Sequence, residues 1–183
     1  MEKILLILSI LISLNSHSQK IKAIDFKIVD YEVKSNKNLD IKSFTIIGSN
    51  GILTVFSDSW DGKNYFQYKL SNEEINKINS LFEKELDSYV KQKQLNKNQY
   101  FAGNPRFITY KINGKKKSLC FIEPFMNSEF MDVIKILNSK IYKHDETAKI
   151  SKNIEDFGKV KKEIIERSKI DNYLPVKAII IQN

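Results

Sequence analysis

The sequence predicts an α+β domain: an antiparallel, hairpin-built sheet of about six to eight strands, with two or three amphipathic helices packed on one face. Two observations lead to this fold class. Three Asn-Gly or Asp-Gly steps, at residues 50–51, 61–62 and 113–114, each separate two apolar runs of β type. Stretches with apolar residues at helical spacing follow the hairpins. Because no Pro- or Ser-rich spacer divides the chain, we expect one domain.

The chain begins with the pattern of a secretory signal peptide. Ile4–Leu14 is an apolar run that follows a charged pair, and small residues precede an expected cut before Gln19. The run is shorter than the roughly 20 apolar residues that span a membrane. The sequence therefore predicts a signal peptide over residues 1–18, a domain over residues 19–183 with no membrane span, and export to the periplasm or the exterior. An uncleaved N-terminal anchor is the alternative.

The three glycine steps predict three hairpins. Asn-Gly and Asp-Gly tolerate the positive φ angles of tight turns, so they are strong hairpin signals. The flanking runs alternate as half-buried strands do. A further strand is expected upstream, around Phe26. Apolar residues that share a strand face are Phe66, Tyr68 and Leu70 in one run, and Ile108, Tyr110 and Ile112 in another.

Three helices are expected after the hairpins. Ser71 and Glu74 have the spacing of a capping box, which predicts the start of the first helix. The second is expected to begin at Asn127 or Ser128, and the third near Ile154. Their apolar faces comprise Ile75, Ile78, Leu81, Phe82 and Leu86 in the first, Phe130, Ile134, Leu137 and Ile141 in the second, and Phe157, Val160 and Ile164 in the third.

Two segments lie outside these hairpins and helices. Residues 91–105 are polar and lack a sustained period, which predicts a long surface connection. The tail, residues 176–182, is rich in isoleucine and predicts a closing strand. We therefore expect the tail to add to the sheet.

The charge pattern argues against specific nucleic-acid binding. The chain is basic, with a formal net charge of +8, but only two of its 30 basic residues are arginines. Arginine is the residue that recognises bases and phosphates with paired hydrogen bonds. Two lysine clusters, at residues 115–117 and 159–162, are expected to be solvated surface. Weak attraction to anionic envelope polymers or lipid headgroups is the alternative for them.

Few residues are available for catalysis. Signal cleavage leaves His144 as the only histidine, and Cys120 is the only cysteine, in an apolar run that predicts a buried thiol. No zinc, Walker or dinucleotide motif is present in the sequence, so no catalytic residue, metal site or cofactor is predicted. A Cys120–His144 pair, or a pair of carboxylates, would be needed for an exported hydrolase.

The stretch from Phe56 to Gln67, F-S-D-S-W-D-G-K-N-Y-F-Q, contains the only tryptophan. It is not a calcium loop, because Ser57, Ser59 and Tyr68 occupy positions where an EF-hand has acidic ligands. At a hairpin tip, Trp60 either folds back onto the sheet or faces a partner. Tryptophan and tyrosine are enriched at the centres of interfaces. The predicted binding residues are Asp58, Trp60, Asp61 and Tyr65.

These features predict an exported binding domain without enzymatic activity. Its partner would be a protein, including a secreted toxin that it neutralises, or an envelope glycan. The exported hydrolase is the alternative function. The sequence leaves the identity of the partner and the oligomeric state open. A solvent-facing Trp60 favours the binding domain, whereas His144 within hydrogen-bond reach of Cys120 favours the enzyme.

Overall fold

The described part of the chain forms one antiparallel sheet of six strands with three α-helices. A computed structural model describes residues 19–35, 38–60, 62–95, 101–151 and 156–171. The strands lie in the order β4-β3-β2-β1-β5-β6, which confirms the α+β class and the expected sheet. The strands are β1 (Ile24–Ser35), β2 (Asn38–Ile47), β3 (Ile52–Ser59), β4 (Gly62–Lys69), β5 (Arg106–Ile112) and β6 (Lys115–Phe121).

Hairpins connect the strands at all three predicted glycine steps. Between β5 and β6, Asn113 and Gly114 have φ angles of 50° and 73°, as a two-residue turn of this type requires. Between β2 and β3, Gly51 has a φ of 74° and its backbone N–H donates to the carbonyl of Gly48. A fourth hairpin, in which Ser35 pairs with Asn38, was not predicted, because no glycine marks it.

Three helices follow, close to where the sequence places them: α1 (Asn72–Ser80), α2 (Ser128–Ile141) and α3 (Gly158–Ile170). The predicted capping box is present, since Ser71 Oγ accepts from the N–H of Glu74 and the Glu74 carboxylate accepts from the N–H of Ser71. Asn127 caps α2. Short 3₁₀ turns follow α1 and continue its apolar side over Leu81 and Leu86.

The helices cover both faces of the sheet. Helices α1 and α2 pack on one face, here the α1–α2 face, where Ile78 and Ile134 belong to the same buried core as Phe26 and Ile108. Helix α3 packs through Val160 and Ile164 on the other, here the α3 face. The expectation of helices on one face thus describes α1 and α2 but not α3. Residues facing α3 include Val29, Phe44, Phe56, Phe107 and Cys120.

One end of the sheet, here the tip end, is where β1 and β3 end and where β5 begins. Because neighbouring strands are antiparallel, Ser35, Ser59 and Arg106 all lie toward this end. The predicted signal peptide and the tail at 176–182 lie outside the described residues, as do positions 96–100 of the long connection.

Candidate functional site

Trp60 lies at the tip of the β3–β4 hairpin. Ser59 pairs with Gly62, and Gly62 has a φ of 108°, which a residue with a side chain rarely adopts. The tryptophan side chain is 99% exposed to solvent. Of the two orientations left open by the sequence, the structure therefore has the outward one.

The other predicted binding residues lie in different surroundings. Asp58 is partly exposed and faces Lys63 across the hairpin. Tyr65 is buried on the α3 face, where its ring packs against Phe56 with centroids 5.3 Å apart. The structure thus places Asp58 beside Trp60 at the surface, whereas Tyr65 supports the hairpin from its buried side. Asp61 lies outside the described residues.

Strand β4, which contains Tyr65, is also contacted along the edge that faces away from β3. The N–H of Ile150 donates to the carbonyl of Tyr65 at 2.9 Å, and Lys149 pairs with Phe66 as an isolated β-bridge. The edge of β4 is therefore partly covered below the tip. These backbone contacts fix the base of the β3–β4 hairpin to the rest of the domain.

Cys120 and His144 do not meet. Cys120 is fully buried on the α3 face of β6, and burial raises the pKa of its thiol to about 12. The His144 ring instead packs against Phe66 on β4, with centroids 5.4 Å apart. Strands β4 and β6 are the two outer strands of a six-stranded sheet, which puts them about 24 Å apart at the usual strand spacing. The structure gives the hydrolase alternative no Cys–His pair.

The lysines after the β5–β6 turn contact carboxylates. Lys116 lies 2.9 Å from Glu163 of α3, and Lys117 lies 2.5 Å from Glu85. These contacts fasten the hairpin to the segments on both sides of the sheet. Because two of the three lysines already have anionic partners, the cluster is a weaker attractor for external polyanions than its sequence indicates.

A polar cluster around a buried ion pair, which was not predicted from the sequence, lies toward the tip end of the α1–α2 face. It consists of Asp30, Ser43, Arg106, Glu123 and Tyr142, and we call it the Arg106 cluster. Arg106 Nε donates to Asp30 Oδ1 at 2.5 Å, and Ser43 Oγ donates to Asp30 Oδ2 at 2.9 Å. The Tyr142 hydroxyl also donates to Asp30 Oδ2. Tyr142 is about half exposed as a residue, but desolvation where it packs on the cluster, and then the Asp30 charge, raise the pKa of its hydroxyl, which therefore keeps the proton that it donates.

The sequence contained a signal for this cluster. Asp30 interrupts an apolar strand, and Arg106, one of only two arginines, begins another. A charged residue within a buried strand usually requires a partner of opposite charge. The partner is 76 positions away, and only the order of the strands shows which residue it is.

Between α1 and α2 lies an open groove of about 1060 Å³. Its lining carries charges of both signs, and Lys140 and Glu74 form an ion pair across it at 3.1 Å. Within the described ranges, no three His, Cys, Asp or Glu side chains are grouped so that they could hold a metal ion. The described lining of the groove therefore offers no such metal-binding group. Its lining is Lys69, Ser71, Glu73, Glu74, Asn76, Lys77, Ser80, Asp132, Ile136 and Lys140.

Comparison of the chain with family models, curated proteins and solved structures finds no match. Among the helices of the described residues, none has the length and apolar character needed to cross a membrane. Function must therefore be inferred from the side chains and their geometry.

Proposed function

We propose that the protein is an exported interaction domain without enzymatic activity, and that its partner docks on the tip of the β3–β4 hairpin with Trp60 as the anchor. The observation that carries this proposal is the full exposure of the only tryptophan. Burying a tryptophan side chain removes about 150–250 Å² from water, which makes it the largest apolar contribution that one residue offers to a partner.

The surroundings of Trp60 support an anchoring role. The base of the hairpin is held by the core through Tyr65 and by the neighbouring segment through Ile150. A rigid base limits the conformational entropy lost when a partner binds. Asp58 and Lys63, which pair across the hairpin next to the tip, place one charge of each sign at the base of the tip. A protein is the partner we put first, because a protruding tryptophan is typical of interface hot spots that fill a pocket.

The N-terminal pattern supports export. The run Ile4–Leu14 and the small residues before Gln19 have the layout of a cleaved signal. Mass spectrometry of the protein recovered from the periplasm or the medium tests this part, and a mature chain that begins at Gln19 is the expected result. A protein that stays in the cytosol with its first residues intact would contradict it.

The docking proposal is tested by recovery of partners from envelope and culture fractions. Wild-type protein is compared with Trp60→Ala and with Ile170→Ala, which truncates another exposed apolar side chain, at the end of α3. We expect Trp60→Ala to lose the partner, with a cost of about 2 kcal/mol or more, and Ile170→Ala to retain it. Equal recovery by all three proteins would refute the anchor. Protease treatment of the fractions distinguishes a protein partner from a glycan.

A further inference from the structure

Polar side chains cross the α1–α2 face in a single row near the tip end. Residues opposite each other on antiparallel strands point to the same face. The next row toward the centre of the sheet is apolar except for one threonine: Leu119, Ile108, Ile28, Thr45, Val55 and Phe66. The polar row itself is Arg106, Asp30, Ser43, Ser57 and Asn64, and it ends on β6 at the apolar Phe121, which pairs with Arg106. Most of its members are buried, so the row is not simply a solvated border of the core.

Asp30 has its hydrogen-bonding capacity largely filled. Its Oδ1 accepts from Arg106, and its Oδ2 accepts from both Ser43 and Tyr142. These donors hold the carboxylate in one orientation. Asp30 therefore fixes the position of the arginine and is not itself open to a further ligand.

Arg106 is only partly satisfied. The residue is 3% exposed, and Asp30 engages only its Nε. Its Nη1 lies 3.5 Å from Glu123 Oε1, the outer limit of a hydrogen bond, and its buried Nη2 has no acceptor among the described residues. A buried guanidinium nitrogen without an acceptor is unfavourable, and such groups are rare in folded proteins.

The free side of the guanidinium has the shape that a carboxylate fits. The Nη1 and Nη2 groups donate two parallel hydrogen bonds, which match the two oxygens of a carboxylate. Glu123 reaches only one of them, and its side chain is 43% exposed, so it can turn toward solvent. Because the charges of Asp30 and Arg106 cancel, Glu123 supplies the main repulsion against an incoming anion.

We propose that the Nη1–Nη2 edge of Arg106 binds the carboxylate group of a ligand, which takes the place of Glu123. Tyr142 lies over the cluster with its hydroxyl on Asp30, while the residue is 53% exposed. Because Arg106 is buried beneath these two half-exposed residues, a ligand reaches it only when this ring and Glu123 move aside. The carboxylate belongs either to a small organic acid or to the C-terminus of a peptide. The site is separate from the Trp60 tip and does not depend on the function proposed there.

Nuclear magnetic resonance of isotope-labelled protein tests the site directly. Acetate is added at constant ionic strength, with chloride as the matched salt, and the Nε–H signal of Arg106 is followed. We expect a saturable shift with acetate and none with chloride. In Glu123→Gln the competing charge is gone and the affinity should rise about twofold to fivefold. Because Glu123 is half exposed, this variant should remain folded.

Two further measurements decide the outcome. A short peptide with a free C-terminus is compared with the same peptide amidated: tighter binding of the free form than of acetate indicates a peptide ligand, and binding of acetate alone indicates a small acid. Arg106→Lys keeps the charge but removes the paired donors, so it should lose the shift in neighbouring signals. No saturable shift in either the wild type or Glu123→Gln would overturn the proposal, whether or not Arg106→Lys folds.

Discussion

Arg106 and Asp30 lie opposite each other on neighbouring strands, and their side chains form an ion pair in which both residues are almost fully buried. The pair joins β1, at the centre of the sheet, to β5, which returns after the long connection. Ser43 of β2 and Tyr142, just after α2, add their hydroxyl groups to the same carboxylate. One buried carboxylate thus ties together three strands and the end of a helix.

Removal of the Asp30 charge should destabilise the protein strongly. In Asp30→Asn the buried guanidinium loses its counter-charge, and breaking a buried pair from one side typically costs about 3–5 kcal/mol. Urea unfolding followed by circular dichroism measures the change. The control is Glu129→Gln, which breaks an exposed pair with Lys84 at 2.7 Å and should cost about 1 kcal/mol or less. Similar losses of unfolding free energy in both variants would show that the buried pair stabilises the protein no more than an exposed pair does.

Two glycines in turns should respond differently to the same substitution. Gly51 and Gly114 have nearly equal φ angles of 74° and 73°, so alanine meets similar backbone strain at each, roughly 1–2 kcal/mol. A Cβ at position 51 would also lie 2.7 Å from Ile75 Cδ1, whereas at position 114 nothing lies within 4 Å. Gly51→Ala should therefore lower the free energy of unfolding more than Gly114→Ala. Equal losses would contradict this prediction and would mean that the Ile75 side chain, in α1, moves aside without a cost in free energy.

The Cys120 thiol should be unreactive in the folded protein. It is buried and its pKa is raised to about 12, and thiol reagents attack the thiolate. Labelling with a colorimetric disulfide reagent at neutral pH should become rapid only when denaturant unfolds the chain. Rapid labelling of the native protein would contradict the burial of this strand.

The same thiol contributes to loss of stability in alkali. Because its pKa is raised on folding, the folded state holds this proton more tightly than the unfolded state. The contribution is complete below the ordinary pKa of about 9 and is lost as the pH rises toward 12. In Cys120→Ala the free energy of unfolding should therefore fall less steeply with pH in this window. The difference in slope should be at most that expected for one proton. An unchanged slope would contradict the raised pKa.

Local chemistry explains why much of the fold was predictable. The turns at Gly51 and Gly114 need positive φ angles, and the capping box of Ser71 and Glu74 satisfies its own backbone groups. Such features depend on residues only a few positions apart. They are visible in the sequence before any tertiary contact is known.

Features that depend on the order of the strands were not predictable in the same way. The stripe that includes Val160 and Ile164 predicts a helix with a buried side, but it does not show which face of the sheet it covers. Both faces of the strands are apolar near the centre, as Val55 and Phe56 illustrate by pointing into different cores. The outward orientation of Trp60 was open for a different reason, because a hairpin tip allows either direction.

Fluorescence of Trp60 tests the central claim most directly, because the only tryptophan in the chain reports on the proposed anchor alone. In the free protein, its emission should resemble that of tryptophan in water, and acrylamide should quench it efficiently. Addition of the partner purified from the envelope or culture fraction, with the emission of the partner alone subtracted, should shift the Trp60 emission to shorter wavelength and protect it from acrylamide. If the partner is recovered with the protein while the emission and quenching of Trp60 stay those of the free chain, the hairpin tip is not the docking site.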